Sequence, residues 1–81
     1  MRLPRDMDAP ELIRSLQRIG YRVVRQSGSH IRLQTDQPQS HALTIPNHSP
    51  LKLGTLAAIL ADIAYQRGLT KDALLQSLFK P

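Results

Sequence analysis

Hydrophobic residues in this chain change their period twice, and that change restricts the fold more than any other feature. Leu12, Ile13, Leu16 and Ile19 recur at helical spacing, with Arg14, Gln17 and Arg18 on the opposite side. From His30 to Thr35 the pattern alternates in twos, which puts Ile31 and Leu33 on one face and His30, Arg32 and Gln34 on the other. His41 to Ile45 alternates again, with Leu43 and Ile45 directed inward. Helical spacing returns with Leu56, Ile59, Leu60 and Ile63. A helix, then consecutive strands, then helices predicts an α+β domain rather than a βαβ repeat.

Turn and cap residues set the boundaries. Asp8-Ala9-Pro10-Glu11 has the spacing of a capping box, with proline in the first turn, and Gly20 stands where a left-handed residue ends a helix. Tyr21 to Gln26 is rich in β-formers, and Ser27-Gly28-Ser29 is a turn. Asp36 to Ser40 makes a second turn, Pro46 stops the last strand, and Asn47-His48-Ser49-Pro50 is loop. A second helix runs from Thr55 to Tyr65, before Gly68. Thr70 caps a shorter third one whose Leu74, Leu75 and Leu78 face the core. The predicted order is α-β-β-β-α-α in one domain over residues 1–81, with helices on one face of an antiparallel meander. The other face stays open and carries Arg22, His30, Arg32 and Thr44.

Composition narrows the function. The chain has no cysteine, so disulfides and thiolate metal sites are excluded, and stability must come from packing or a partner. Eleven Lys and Arg against six Asp and Glu give a net charge of +5, which suits a polyanionic partner such as RNA. A charge of that size also serves solubility alone. The charged N-terminus is not followed by an apolar stretch of secretory type, and the longest apolar run, Leu56 to Ala61, is far short of a bilayer span. The expected location is cytoplasmic, without membrane association.

Enzyme motifs are few: no paired-carboxylate motif, phosphate-binding glycine loop or HExxH is present. Three histidines remain, and histidine is the side chain that ordinarily titrates near neutrality. RNA brings its own nucleophile, the 2′-hydroxyl, so a base, an acid and phosphate-holding cations suffice to cleave it. If the second hairpin turns about Pro38, facing residues sum to 76 and His30 lies opposite Pro46. His48 then falls near His30, as a helper or as a loop residue capping backbone groups. His41 lies near the turn, about five residues and roughly 17 Å from His30, and reads as a solvated turn histidine. Arg25 and Arg32 flank the first turn as phosphate-holding cations or as ordinary solvated strand residues. Gly28 reads equally as a hairpin glycine or as a point of close phosphate approach, and Ser29 as a turn residue or as an orienter of His30. The histidine spacings match no metal motif.

An ordered set of motifs adds a resemblance. Leu12-Ile13 with Leu16, Gly20-Tyr21, Val24-Arg25-Gln26, Gly28-Ser29-His30, Thr44-Ile45-Pro46 and Gly54-Thr55-Leu56 with Ile59-Leu60 resemble the HicA (YcfA-like) family of mRNA interferase toxins from type II toxin–antitoxin systems. The likeness runs from about Asp8 to Tyr65. It implies a double-stranded-RNA-binding-domain-like core over about residues 8–65, extended here by a C-terminal helix over residues 69–81. It also implies RNA cleavage without metal or cofactor, His30 as the catalytic histidine, and neutralisation by a HicB-type antitoxin. RNA contacts are expected from Arg25, Gly28, Ser29, Arg32 and His48. A non-catalytic RNA-binding module and a protein-docking adaptor are the rival readings. A nuclease assay of His30→Ala separates the first rival, and the salt dependence of RNA binding separates the second.

Overall fold

The computed structural model describes residues 3, 4 and 6–79. Helix α1, Ala9–Arg18, starts at the expected capping box: Asp8 Oδ1 accepts from the Glu11 amide at 2.9 Å, and Glu11 Oε1 accepts from the Asp8 amide at 3.5 Å. It ends in a Schellman arrangement. The Gly20 amide donates to the Gln17 carbonyl, the Tyr21 amide donates to the Leu16 carbonyl, and Gly20 has φ of 107°. That reversal delivers Tyr21 into the core, where it is 2% exposed.

Three strands follow, β1 (Arg22–Ser27), β2 (His30–Thr35) and β3 (His41–Pro46), in the sheet order β1-β2-β3. Both pairings are antiparallel. The β2–β3 register places His30 opposite Pro46 and Thr35 opposite His41, as a turn centred on Pro38 requires. The β1–β2 register contains an irregularity that the sequence did not announce. Val23 faces Leu33, yet Arg25 faces Arg32, so Val24 is an extra residue in a β-bulge.

Helix α2 spans Leu53–Arg67 and α3 spans Lys71–Phe79. No side chain caps α2 at Lys52, and the helix begins two residues before Thr55, where a capping residue would have suggested a start. Thr70 Oγ1 accepts from the Ala73 amide and starts α3 as expected. Leu12, Leu16, Leu33, Ile45, Leu56, Leu60, Ile63, Leu74 and Leu78 are buried together, so the sheet and all three helices share one apolar cluster. The Arg18 guanidinium donates to the Leu78 carbonyl at 2.7 Å, fastening α1 to the last turn of α3, where a cation also complements the helix dipole. The architecture is therefore α+β, a helix and a three-stranded meander followed by two helices, with the added C-terminal helix packed into the core. Among the described residues no helix is long and apolar enough to cross a membrane.

Candidate active site on the open sheet face

Strand β2 sorts its side chains by alternation. Ile31, Leu33 and Thr35 are buried, while His30 and Arg32 are exposed on the face away from the helices. Residues directly opposite in a sheet share a face, so the register extends this surface sideways. His30 lies between Ser27 and Pro46, and Arg32 lies between Arg25 and Thr44. Arg32 donates to Thr44 Oγ1 at 3.0 Å, which restrains its guanidinium on the sheet surface. Arg25 reaches this face because of the bulge, since strict alternation from Arg22 would turn it toward the core side. It sits diagonally from His30, a separation of about 7–8 Å between backbones and within reach of a long side chain. Arg22, opposite Gln34, is on the same face but is held by an exposed ion pair to Asp36 at 3.3 Å.

The loop after β3 closes the end of this surface. The Asn47 amide donates to the Ser29 carbonyl at 2.6 Å, and the His48 carbonyl accepts from the Ala9 amide at 3.2 Å. The segment is thus tied to the Gly28-Ser29 turn on one side and to the start of α1 on the other. His48 is exposed there, at the His30 end of the sheet. The structure so brings His30, Arg25 and Arg32 to one surface beside the Gly28-Ser29 turn, with the His48 loop at that end of the sheet, between the turn and the start of α1. Such a set can hold an anion and move a proton.

Gly28 has φ of 58°, and an added Cβ would meet nothing within 4 Å. Its cost as alanine is therefore backbone strain alone. Gly28→Ala is expected to lower stability by about 1 kcal/mol, read as a shift in denaturation midpoint. An unchanged midpoint would show that the turn relaxes to another conformation.

His41 corrects the reading of a solvated turn histidine. Its side chain is only 9% exposed, with Nε2 at 3.1 Å from Asp62 Oδ2 and Nδ1 at 2.7 Å from the Tyr21 hydroxyl. Arg67 lies over the Tyr21 ring at 5.3 Å and donates to the Ile19 carbonyl at 2.7 Å. The group joins the start of β1, the start of β3 and the C-terminal half of α2. A signal for it was present: His41 has the same parity as Leu43 and Ile45 and so belongs to the inward face. The register also keeps His41 five positions along the strand from Pro46, away from His30. Its role is to brace the fold.

Burial pushes the Tyr21 hydroxyl above its ordinary value of 10.0. Arg67 opposes that shift, and the Asp62 carboxylate adds to it. The native state then holds this proton more tightly than the unfolded chain. The stability so gained is intact below 10.0 and is lost as pH rises through the native value. Tyr21→Phe is expected to flatten that alkaline loss in denaturation midpoints followed upward from neutral pH. Parallel pH curves for the two proteins would refute the assignment.

Among the described residues, no group of three His, Asp or Glu side chains is placed to hold a metal ion. A family model described as HicA toxin of bacterial toxin–antitoxin matches residues 9–64, which takes in α1, the sheet and most of α2 and leaves α3 outside. Neither a curated protein nor a solved structure matches the chain.

Proposed function

Since the chain belongs to the HicA toxin family of bacterial toxin–antitoxin systems, we propose that it is a ribonuclease toxin that cleaves RNA with His30. One observation carries this reading: the sheet register sets His30 beside Arg32 and diagonally from Arg25 on a solvent-facing surface. In the reaction, His30 takes the proton of a ribose 2′-hydroxyl. The freed oxygen attacks the adjacent phosphorus, and the bond from phosphorus to the 5′-oxygen breaks. That oxygen leaves with a proton from His48 or from water, giving a 2′,3′-cyclic phosphate and a 5′-hydroxyl. Arg25 and Arg32 stabilise the charge that builds on the phosphorane oxygens. Amides of the Gly28-Ser29 turn add hydrogen bonds to a non-bridging oxygen. No step requires a metal or a cofactor. The reading places the work in the cytoplasm, with residues 1–81 as one functional domain.

Such a toxin must be restrained, and its natural partner is the antitoxin of its system, expected to be of HicB type and net acidic. Covering the open sheet face would bury His30 and exclude RNA at once, with acids meeting Arg22, Arg25 or Arg32.

The test is RNA binding and cleavage as salt is varied. Neutralising about three phosphates gives a log–log slope of roughly −2, so a fourfold rise in salt should weaken binding about twentyfold. Arg32→Glu should weaken binding alike across RNA sequences and make that slope shallower by roughly one. Salt-insensitive binding, or a loss confined to particular sequences, would contradict phosphate-dominated recognition.

A further inference from the structure

The two edges of the sheet are finished in different ways. β3 ends in Pro46, packs against α2 and is braced by His41, and most of its residues are buried or half-buried. β1 has none of these protections. All six of its residues are exposed, with no proline and no lysine among them, and among the described residues no strand pairs with its outer edge. Val23 and Val24 are 42% and 47% exposed. Edge strands of proteins that stay alone are usually blunted by charge, proline or a covering element. Here the bulge at Val24 and the charges of Arg22 and Arg25 guard the edge in part, and among the described residues no element covers it.

We propose that the free edge of β1 is a docking site for an extended, acidic strand of a partner protein, which joins the sheet as a fourth strand. Main-chain groups of Arg22–Ser27 would supply the hydrogen bonds, and Val23 and Val24 the apolar contact. Charge decides among occupants. β1 carries Arg22 and Arg25 and no acid, in a chain of net charge +5. A second copy would add two more arginines and no acid along the same edge, and like charges across a strand pair destabilise it. An acidic strand meets Arg25 favourably, while Arg22 already pairs with Asp36. RNA has no main chain with which to continue a ladder. The edge adjoins the His30 surface and shares Arg25 with it, and its main-chain groups are free of that surface, so one partner segment could pair with the edge while another covers the face. The inference stands whether or not His30 cleaves RNA.

The experiment is amide hydrogen exchange by NMR on the full chain, with a short end-blocked peptide that alternates glutamate and valine. The expected result is protection of β1 amides by at least about tenfold, centred on Val23 to Gln26, and chemical-shift changes smaller at His30 than at Val24. The same peptide with alternate amides N-methylated, and a version with lysine for glutamate, should each give no protection. Val23→Asp, on an already exposed position, should abolish the effect and leave the spectrum of α1 and α3 unchanged. Protection that survives N-methylation would overturn the proposal. So would protection that grows with protein concentration alone, which would mark a second copy as the occupant. Equal protection of the same amides by a single-stranded RNA oligonucleotide would overturn it in favour of nucleic acid. A failed nuclease assay leaves these outcomes untouched.

Discussion

His30→Ala is expected to lower RNA cleavage by at least about a hundredfold, since positioned acid–base groups contribute about 10²–10⁴-fold. The same change should leave the denaturation midpoint where it is. His30 is exposed on the outer face of β2, and exposed substitutions away from caps and buried networks usually shift stability by no more than about 0.5 kcal/mol. Alanine also leaves the β2 backbone, and hence its pairing with β1 and β3, in place. Full cleavage by the variant would remove His30 from the chemistry. Lost cleavage together with a large fall in stability would make it a structural residue instead. RNA affinity separates the catalytic reading from simple binding: on this view the variant still holds RNA, because Arg25 and Arg32 remain.

His41→Ala should behave in the opposite way. The ring is nearly buried and joined at both nitrogens, so its loss empties a packed position and leaves the Tyr21 hydroxyl without its partner. Removing one member of a buried hydrogen-bonded network in this manner costs about 2–3 kcal/mol. For a domain of this size that is a fall in Tm of roughly 10 °C or more. Measured below the transition, the folded fraction should keep its cleavage rate, because the sheet register puts His41 well along β3 from His30. A variant of full stability would show that water or a neighbouring side chain replaces the imidazole. A stable but inactive variant would move the chemistry to His41 and away from His30.

The two histidines show where sequence reading succeeds and where it stops. Strand parity and a turn centred on Pro38 give the β2–β3 register residue by residue, and with it the outward placement of His30. The ends of α1 are equally readable, because Asp8, Glu11 and Gly20 each perform a local task that their chemistry declares. The start of α2 is not, because Lys52 caps nothing and packing rather than a capping side chain fixes the first turn. The Tyr21–His41–Asp62 brace joins residues about twenty apart, one just before β1, one on β3 and one on α2. Parity gives the inward direction of His41, but only the packing of α2 on β3 supplies its acid. The place of Arg25 was readable only by assuming that it faced as Arg32 does. Nothing in the Arg-Val-Val-Arg run says which valine is surplus.

That surplus residue has a consequence for how the chain tolerates insertions and deletions. β2 and β3 have no slack: losing one residue from either would exchange the inner and outer positions of everything between the gap and the nearest turn. β1 holds one residue in reserve. Loss of Val24 alone would leave Val23 opposite Leu33, bring Arg25 opposite Arg32 in regular pairing, and keep Ser27 opposite His30. Length variation among chains of this kind should therefore be absorbed at this one point of the sheet. There a codon can come or go and the outward surface of the sheet keeps its order.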